Sequence, residues 1–206
     1  ISMSNMFSGA ESFNQPLNNW DVSNVKNMHK MFLEATSFNQ PLNNWNVSKV
    51  QNMSEMFCKA RSFNQPLNNW DVSNVTDMSY MFSGAISFNQ PLNNWNVSKV
   101  KNLFVMFNRA HSFNQPLDNW IIDQVENIDG MFIKATSFKQ LLTIIKWNLN
   151  NKYIKNIISG TPLEKYKNIF IDKVIIKMIY KLNNKLGFIS IIKLPEYHLE
   201  NLINID

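Results

Sequence analysis

Three histidines, His29, His111 and His198, and one cysteine, Cys58, are the side chains of this chain best suited to nucleophilic or metal chemistry. Their spacing decides against both. The chain repeats every 25 residues, the histidines fall at unrelated points of that period, and no His or Cys pair has ligand spacing. Five glycines among 206 residues leave no glycine-rich phosphate loop. A catalytic centre needs different groups converging on one point, whereas repetition supplies copies of the same group. The expectation is a protein that is not an enzyme, with no cofactor and no metal. Cys58 cannot form an intramolecular disulfide, and Ser8, Leu33, Ser83, Asn108 and Ile133 stand in its place in the other copies. Nothing basic recurs around it, so an unreactive thiol is expected.

The repeated segment is SFNQPLNNWDVSNV, Ser12 to Val25, which returns almost unchanged at Ser37, Ser62, Ser87 and Ser112. A Met-Phe pair keeps the same phase, beginning at Met6, Met31, Met56, Met81, Met106 and Met131. Periods of 20 to 50 residues indicate stacked coils, in which each unit buries its apolar face only against its neighbours. Leu17, Trp20 and Val22 follow an L-x-x-L-x-L spacing, which predicts a short strand around Trp20 to Val22 with both side chains inward. From Val25 the apolar residues Met28, Met31, Phe32 and Ala35 recur at threes and fours, the period of a helix face. Ser23, Ser48, Ser73, Ser98 and Asp123 sit where an N-cap would start that helix. The fold expected is therefore an α/β solenoid, a leucine-rich-repeat-like right-handed coil. Each 25-residue turn has one short parallel strand and one short helix, and a mainly helical cap closes the C-terminal end.

Proline cannot donate to a strand ladder, so Pro16, Pro41, Pro66, Pro91 and Pro116 belong in the return loop. The column Trp20, Trp45, Trp70, Trp95 and Trp120 reads as an interior stack, with a stacking platform for bases or sugars as the competing reading. The Phe column from Phe13 to Phe138 has the same core reading. Asn14, Asn39, Asn64, Asn89 and Asn114 are expected to form a ladder that satisfies backbone groups.

Between the inward strand positions lies a polar stripe on the expected concave side: Asn19, Asp21, Asn44, Asn46, Asn69, Asp71, Asn94, Asn96, Asn119 and Ile121. Asp and Asn alternate down one column, and Asn24, Lys49, Asn74 and Lys99 alternate in another. That spreads like charges over two coils, about 10 Å at a spacing of about 4.8 Å. A binding stripe and structural filler explain the pattern equally well. If it binds, the uniformity from copy to copy fits a weak multivalent adhesive, and the competing class is an architectural spacer.

MFSGAESFNQPLNNWDVSNV and its copies resemble the repeats of BspA-like leucine-rich-repeat surface proteins, the variant common in mycoplasma-type lipoproteins. The resemblance covers about two thirds of the chain. It implies a non-catalytic, surface-exposed or secreted protein that adheres or binds a protein or cell-surface partner, and it supplies no catalytic residues.

Three segments follow: tandem repeats over 1–138, a degenerate last repeat over 139–161, and a basic cap or tail over 162–206. In the second, SFKQLLTIIKWNL puts Lys139 for Asn and Leu141 for Pro, while Leu142, Ile145 and Trp147 keep the strand spacing and IISGT matches MFSGA one residue out of register. The net charge of +5 belongs to the end of the chain. Up to Phe138 nine Lys and Arg face ten Asp and Glu, and from Lys139 eleven Lys face five acids. No nucleic-acid partner is expected of neutral repeats. Lys173, Lys177, Lys181 and Lys185 lie four apart on one face of an amphipathic pattern, read as the solvated side of a capping helix, with contact to an acidic membrane or partner as the alternative. Ile121, Phe104, Val105 and Ile133 put apolar residues at outward positions, where the tail is expected to cover them. The sequence opens inside a repeat, so a longer array is expected.

Overall fold

The computed structural model describes residues 1–147, 149 and 156–166. Lys173, Lys177, Lys181 and Lys185 lie outside them, as does the expected tail helix. Residues Ile1–Glu164 form one compact unit and Lys165–Asp206 a second. In the first unit, each 25-residue copy makes one loop of chain stacked in parallel on the next.

What joins the loops is backbone hydrogen bonding between copies. The N–H groups of Met28, Lys30, Phe32 and Glu34 donate to the carbonyls of Asn52, Ser54, Met56 and Cys58 at 2.9, 3.0, 2.9 and 2.8 Å. Met53, Glu55, Phe57 and Lys59 repeat the pattern onto Asp77, Ser79, Met81 and Ser83. The helix expected from Val25 to Ala35 is therefore absent. Its N–H groups are spent on the neighbouring loop, and the segment runs as successive tight turns closed by Met31 N–H to Met28 and Ala35 N–H to Phe32, 3.1 Å each. Lys30 and Glu34 take φ of 58° and 59°, the left-handed conformation a turn of this kind uses at its third residue. Turns four residues apart put Met28, Met31, Phe32 and Ala35 inside, all fully buried. The threes-and-fours spacing thus came from chained turns.

The strand expected at Trp20–Val22 is also absent. Turns closed by Trp20 N–H to Leu17 and Val25 N–H to Val22 flank it, at 3.0 and 2.9 Å. Among the described residues, parallel pairing is confined to single bridges from Ser2 through Asn27, Asn52, Asp77 and Asn102 to Asn127, five residues further along each copy. Ser23 caps nothing: its N–H donates to Asp21 Oδ1 at 3.0 Å. The turn is organised by the residue two positions earlier, an Asx turn repeated by Asn46, Asp71 and Asn96 onto Ser48, Ser73 and Ser98.

The inward reading of the aromatic columns holds. Trp45, Trp70, Trp95 and Trp120 are each 3% exposed, and Phe38, Phe63, Phe88, Phe113 and Phe138 are fully buried. Successive rings lie nearly parallel, 5.5 Å apart for Phe32 and Phe57, 6.0 Å for Phe38 and Phe63 and 6.4 Å for Trp45 and Trp70. Each buried Phe contributes about 1.5–3 kcal/mol, as does each Leu, Val and Met buried beside it, so aromatic and aliphatic columns together hold loop to loop. In the first loop Trp20 is 40% exposed.

At the other end, Leu141–Lys146 forms α1, the one α-helix among the described residues that has a full turn. It replaces the strand spacing expected of Leu142, Ile145 and Trp147. Phe132 and Lys134 N–H groups still reach Ile157 and Ser159, at 3.2 and 2.8 Å, one residue further along than in the other copies.

Candidate functional site

Asparagine recurs at several places in each loop, and the structure separates those whose oxygen is spent from those whose oxygen is free. Asn14, Asn39, Asn64, Asn89 and Asn114 are spent. The Oδ1 of each accepts the backbone N–H 25 residues on, at 2.9–3.1 Å. It or the same residue's carbonyl also accepts the side-chain amide of Gln40, Gln65, Gln90, Gln115 or Gln140. This is the ladder expected of the column. The Gln partners and a second column, Asn27, Asn52, Asp77, Asn102 and Asn127, escaped the sequence reading. Each of the latter accepts the N–H two residues on. Their signal was present: an Asx residue recurring just before the Met-Phe turn.

The stripe itself lies at the surface. Asn19, Asn44, Asn69, Asn94 and Asn119 are exposed, as are Asp21, Asn46, Asp71, Asn96 and Ile121. The column of Asp21, Asn46, Asp71 and Asn96 is half spent, since one oxygen of each holds its Asx turn. In the column of Asn19, only Asn44 and Asn69 have an occupied oxygen, accepting from Asn43 and Asn68 at 3.4 and 3.0 Å. Every Nδ2 of that column is unspent. Lys49 and Lys99 donate to Asn24 and Asn74 at 2.7 and 2.8 Å. Asp21 and Asp71 are held below their ordinary 3.8 by the hydroxyl and then the N–H of Ser23 and Ser73, with Lys49 and Lys99 assisting.

At the fourth and fifth loops the stripe dips into a groove of about 440 Å³, lined by Asn93, Asn94, Trp95, Asn96, Val97, Asn119 and Ile121. Four stripe residues, Asn94, Asn96, Asn119 and Ile121, therefore share one depression. Ile121 forms its apolar wall and is 61% exposed. Phe104, Val105 and Ile133 belong to the turn segment instead and are half-buried. Tyr80 meets Phe104 edge to face at 5.3 Å.

Of the groups first considered for chemistry, His198 lies outside the described residues. Burial, with Glu55 beside it, pushes the Cys58 thiol up to about 11, far from a thiolate at neutral pH. His29 uses Nδ1 on Ser54, 2.7 Å from its Oγ. Among the described residues no three His, Cys, Asp or Glu side chains gather to hold a metal, and no helix is long and apolar enough to cross a membrane.

Parallel loops in 25-residue register, joined by a ladder of asparagine side chains, define a tandem-repeat protein. The chain belongs to the family described as "Mycoplasma protein of unknown function, DUF285", whose model matches residues 1–85 and, overlapping, 66–162. No curated protein and no solved structure matches it.

Proposed function

We propose that the chain is a solenoid scaffold without catalytic activity, which presents its amide stripe to a partner at a cell surface. The observation that carries this reading is the contrast between asparagine columns. Where the loops need an acceptor the side-chain oxygen is spent, and where they need none an amide still recurs every 25 residues, with the oxygens of Asn19, Asn94 and Asn119 left free. Stability alone asks nothing of Asn19, Asn94 or Asn119. The resemblance to BspA-like leucine-rich-repeat surface proteins supports the same setting, an adhesive or partner-binding role outside the cell. Many weak copies on one rigid array gain by effective concentration what each lacks singly.

A second reading, an architectural spacer, is favoured by the Asx turns that use Asp21, Asn46, Asp71 and Asn96 for the loop itself. Binding of fluorescently labelled chain to cultured epithelial cells separates the two. An adhesive scaffold gives saturable binding that unlabelled chain competes away and that falls at least tenfold in the Asn44→Ala, Asn69→Ala, Asn94→Ala, Asn119→Ala variant. A spacer gives no saturable binding.

A further inference from the structure

The chemistry of the stripe restricts what it can hold. Protein partners are gripped through aromatic or arginine anchors in desolvated pockets, and from the second to the fifth loop the stripe exposes none, Trp45, Trp70, Trp95 and Trp120 being buried where Trp20 is not. A polyanion needs an excess of cations, yet Lys49 and Lys99 are offset by Asp21 and Asp71, whose carboxyls they influence directly. What remains is neutral and amphoteric. A primary amide carries two donors and an acceptor, which matches a pair of neighbouring hydroxyls that each donate and accept. The amides recur once per loop, and the Trp45 and Trp70 rings between the stripe columns lie 6.4 Å apart, a step on the order of one sugar ring in an extended β-linked chain. The groove at the fourth and fifth loops adds the remaining element of sugar recognition: Ile121 supplies an apolar wall for the C–H face of a ring beside the amides of Asn94, Asn96 and Asn119.

We propose that the stripe binds a neutral, linear, β-linked glycan lying along the loop stack, seated by the groove at Ile121 and held by the amides of Asn119, Asn94, Asn69, Asn44 and Asn19. This deepens the scaffold reading and rests on it. Affinity electrophoresis of the full chain in native gels tests it, with hydroxyethylcellulose, mixed-linkage β-glucan or galactomannan cast into the gel. At least one polymer slows the chain in proportion to its concentration, and added salt does not abolish the effect. The Asn94→Ala, Asn119→Ala variant loses at least half of the retardation, and Ile121→Asn, which restores the stripe's own rule and spares the fold, loses part of it. Unchanged mobility in all three polymers overturns the proposal, as does equal retardation of the double variant or retardation that salt removes. Saturable cell binding that survives enzymatic removal of surface glycans overturns it too, leaving the scaffold with a protein partner. Absence of any cell binding, with gel retardation intact, rejects the cell-surface role and leaves glycan binding standing.

Discussion

Trp120 and Trp147 stack with ring centroids 6.3 Å apart, yet they are held differently. The indole N–H of Trp120 donates to the Leu92 carbonyl at 2.9 Å, as Trp45, Trp70 and Trp95 do to Leu17, Leu42 and Leu67. Trp147, 8% exposed, has no acceptor for its Nε1 among the described residues. In the repeats the buried indoles and the asparagine ladder are answered from the neighbouring loop, so satisfaction is inherited with the period. From Lys139 the period fails. Lysine offers no acceptor, and the asparagine ladder ends with Asn114 accepting from Lys139 and Gln140. Single-use contacts take over: the Thr143 hydroxyl accepts the Leu117 N–H at 3.1 Å, and Lys146 pairs with Asp118 at 3.0 Å. α1 satisfies backbone groups within its own turn, which a terminal stretch must do once copies stop. Periodicity gives cheap polar closure in the middle and leaves the end to specific contacts, one of them unmet.

The most severe way to break this comparison is Trp70→Ala. It empties part of a stacked column and strands the Leu42 carbonyl, so a loss of about 3–5 kcal/mol is expected in urea unfolding. An unfolding midpoint equal to the parent's would contradict an interior stack.

Replacement of each indole by phenylalanine sharpens the contrast. Trp70→Phe deletes a met donor and costs about 1–3 kcal/mol from the unsatisfied carbonyl in addition to lost volume. Trp147→Phe deletes an unmet donor and loses volume only. Equal losses in the two variants would mean that the indole bonds contribute nothing.

Asparagine columns make the same test at smaller scale. Asn64→Ala removes the acceptor of the Asn89 N–H and of the Gln90 amide, worth about 1–3 kcal/mol. Asn94→Ala, on the stripe, stays within about 0.5 kcal/mol. If both variants unfold together, the division into spent and unspent amides fails.

Strain offers a gain. Val105 is a β-branched residue at φ 59°, in a column where Asn5 and Gly130 also stand. The left-handed conformation costs such a residue about 1–2 kcal/mol, so Val105→Asn is expected to stabilise by about 1 kcal/mol after loss of its methyl contacts. A thermal scan with a lowered midpoint would show the contacts outweighing the strain.

The smallest effect depends on acid. Because the Asp21 and Asp71 carboxyls are depressed in the folded chain, their contribution to stability is present above the ordinary 3.8 and is lost as pH falls through the lower folded value. Asn46 and Asn96 hold the same turn without a charge. The Asp21→Asn, Asp71→Asn variant should therefore match the parent at neutral pH and decline less below pH 3.8, a difference read from unfolding midpoints across that window. Identical acid profiles would place the two carboxylates outside the turn's energetics.

The sequence by itself determined the period, the inward columns, the looped prolines and the asparagine ladder, because each follows from what one residue type can do wherever it stands. Trp and Phe every 25 residues must be buried somewhere, and Pro cannot donate. Tertiary structure alone decided how the backbone runs between those points. A helix and a chain of four-residue turns place Met28, Met31, Phe32 and Ala35 on one side alike, and they differ only in where the N–H groups find acceptors. Those acceptors, from Asn52 to Cys58, belong to the next loop and exist only once the loops are stacked. The same reason hid the division of labour among the amides: an asparagine is spent or free according to which carbonyl or N–H the neighbouring loop brings within 3 Å of it.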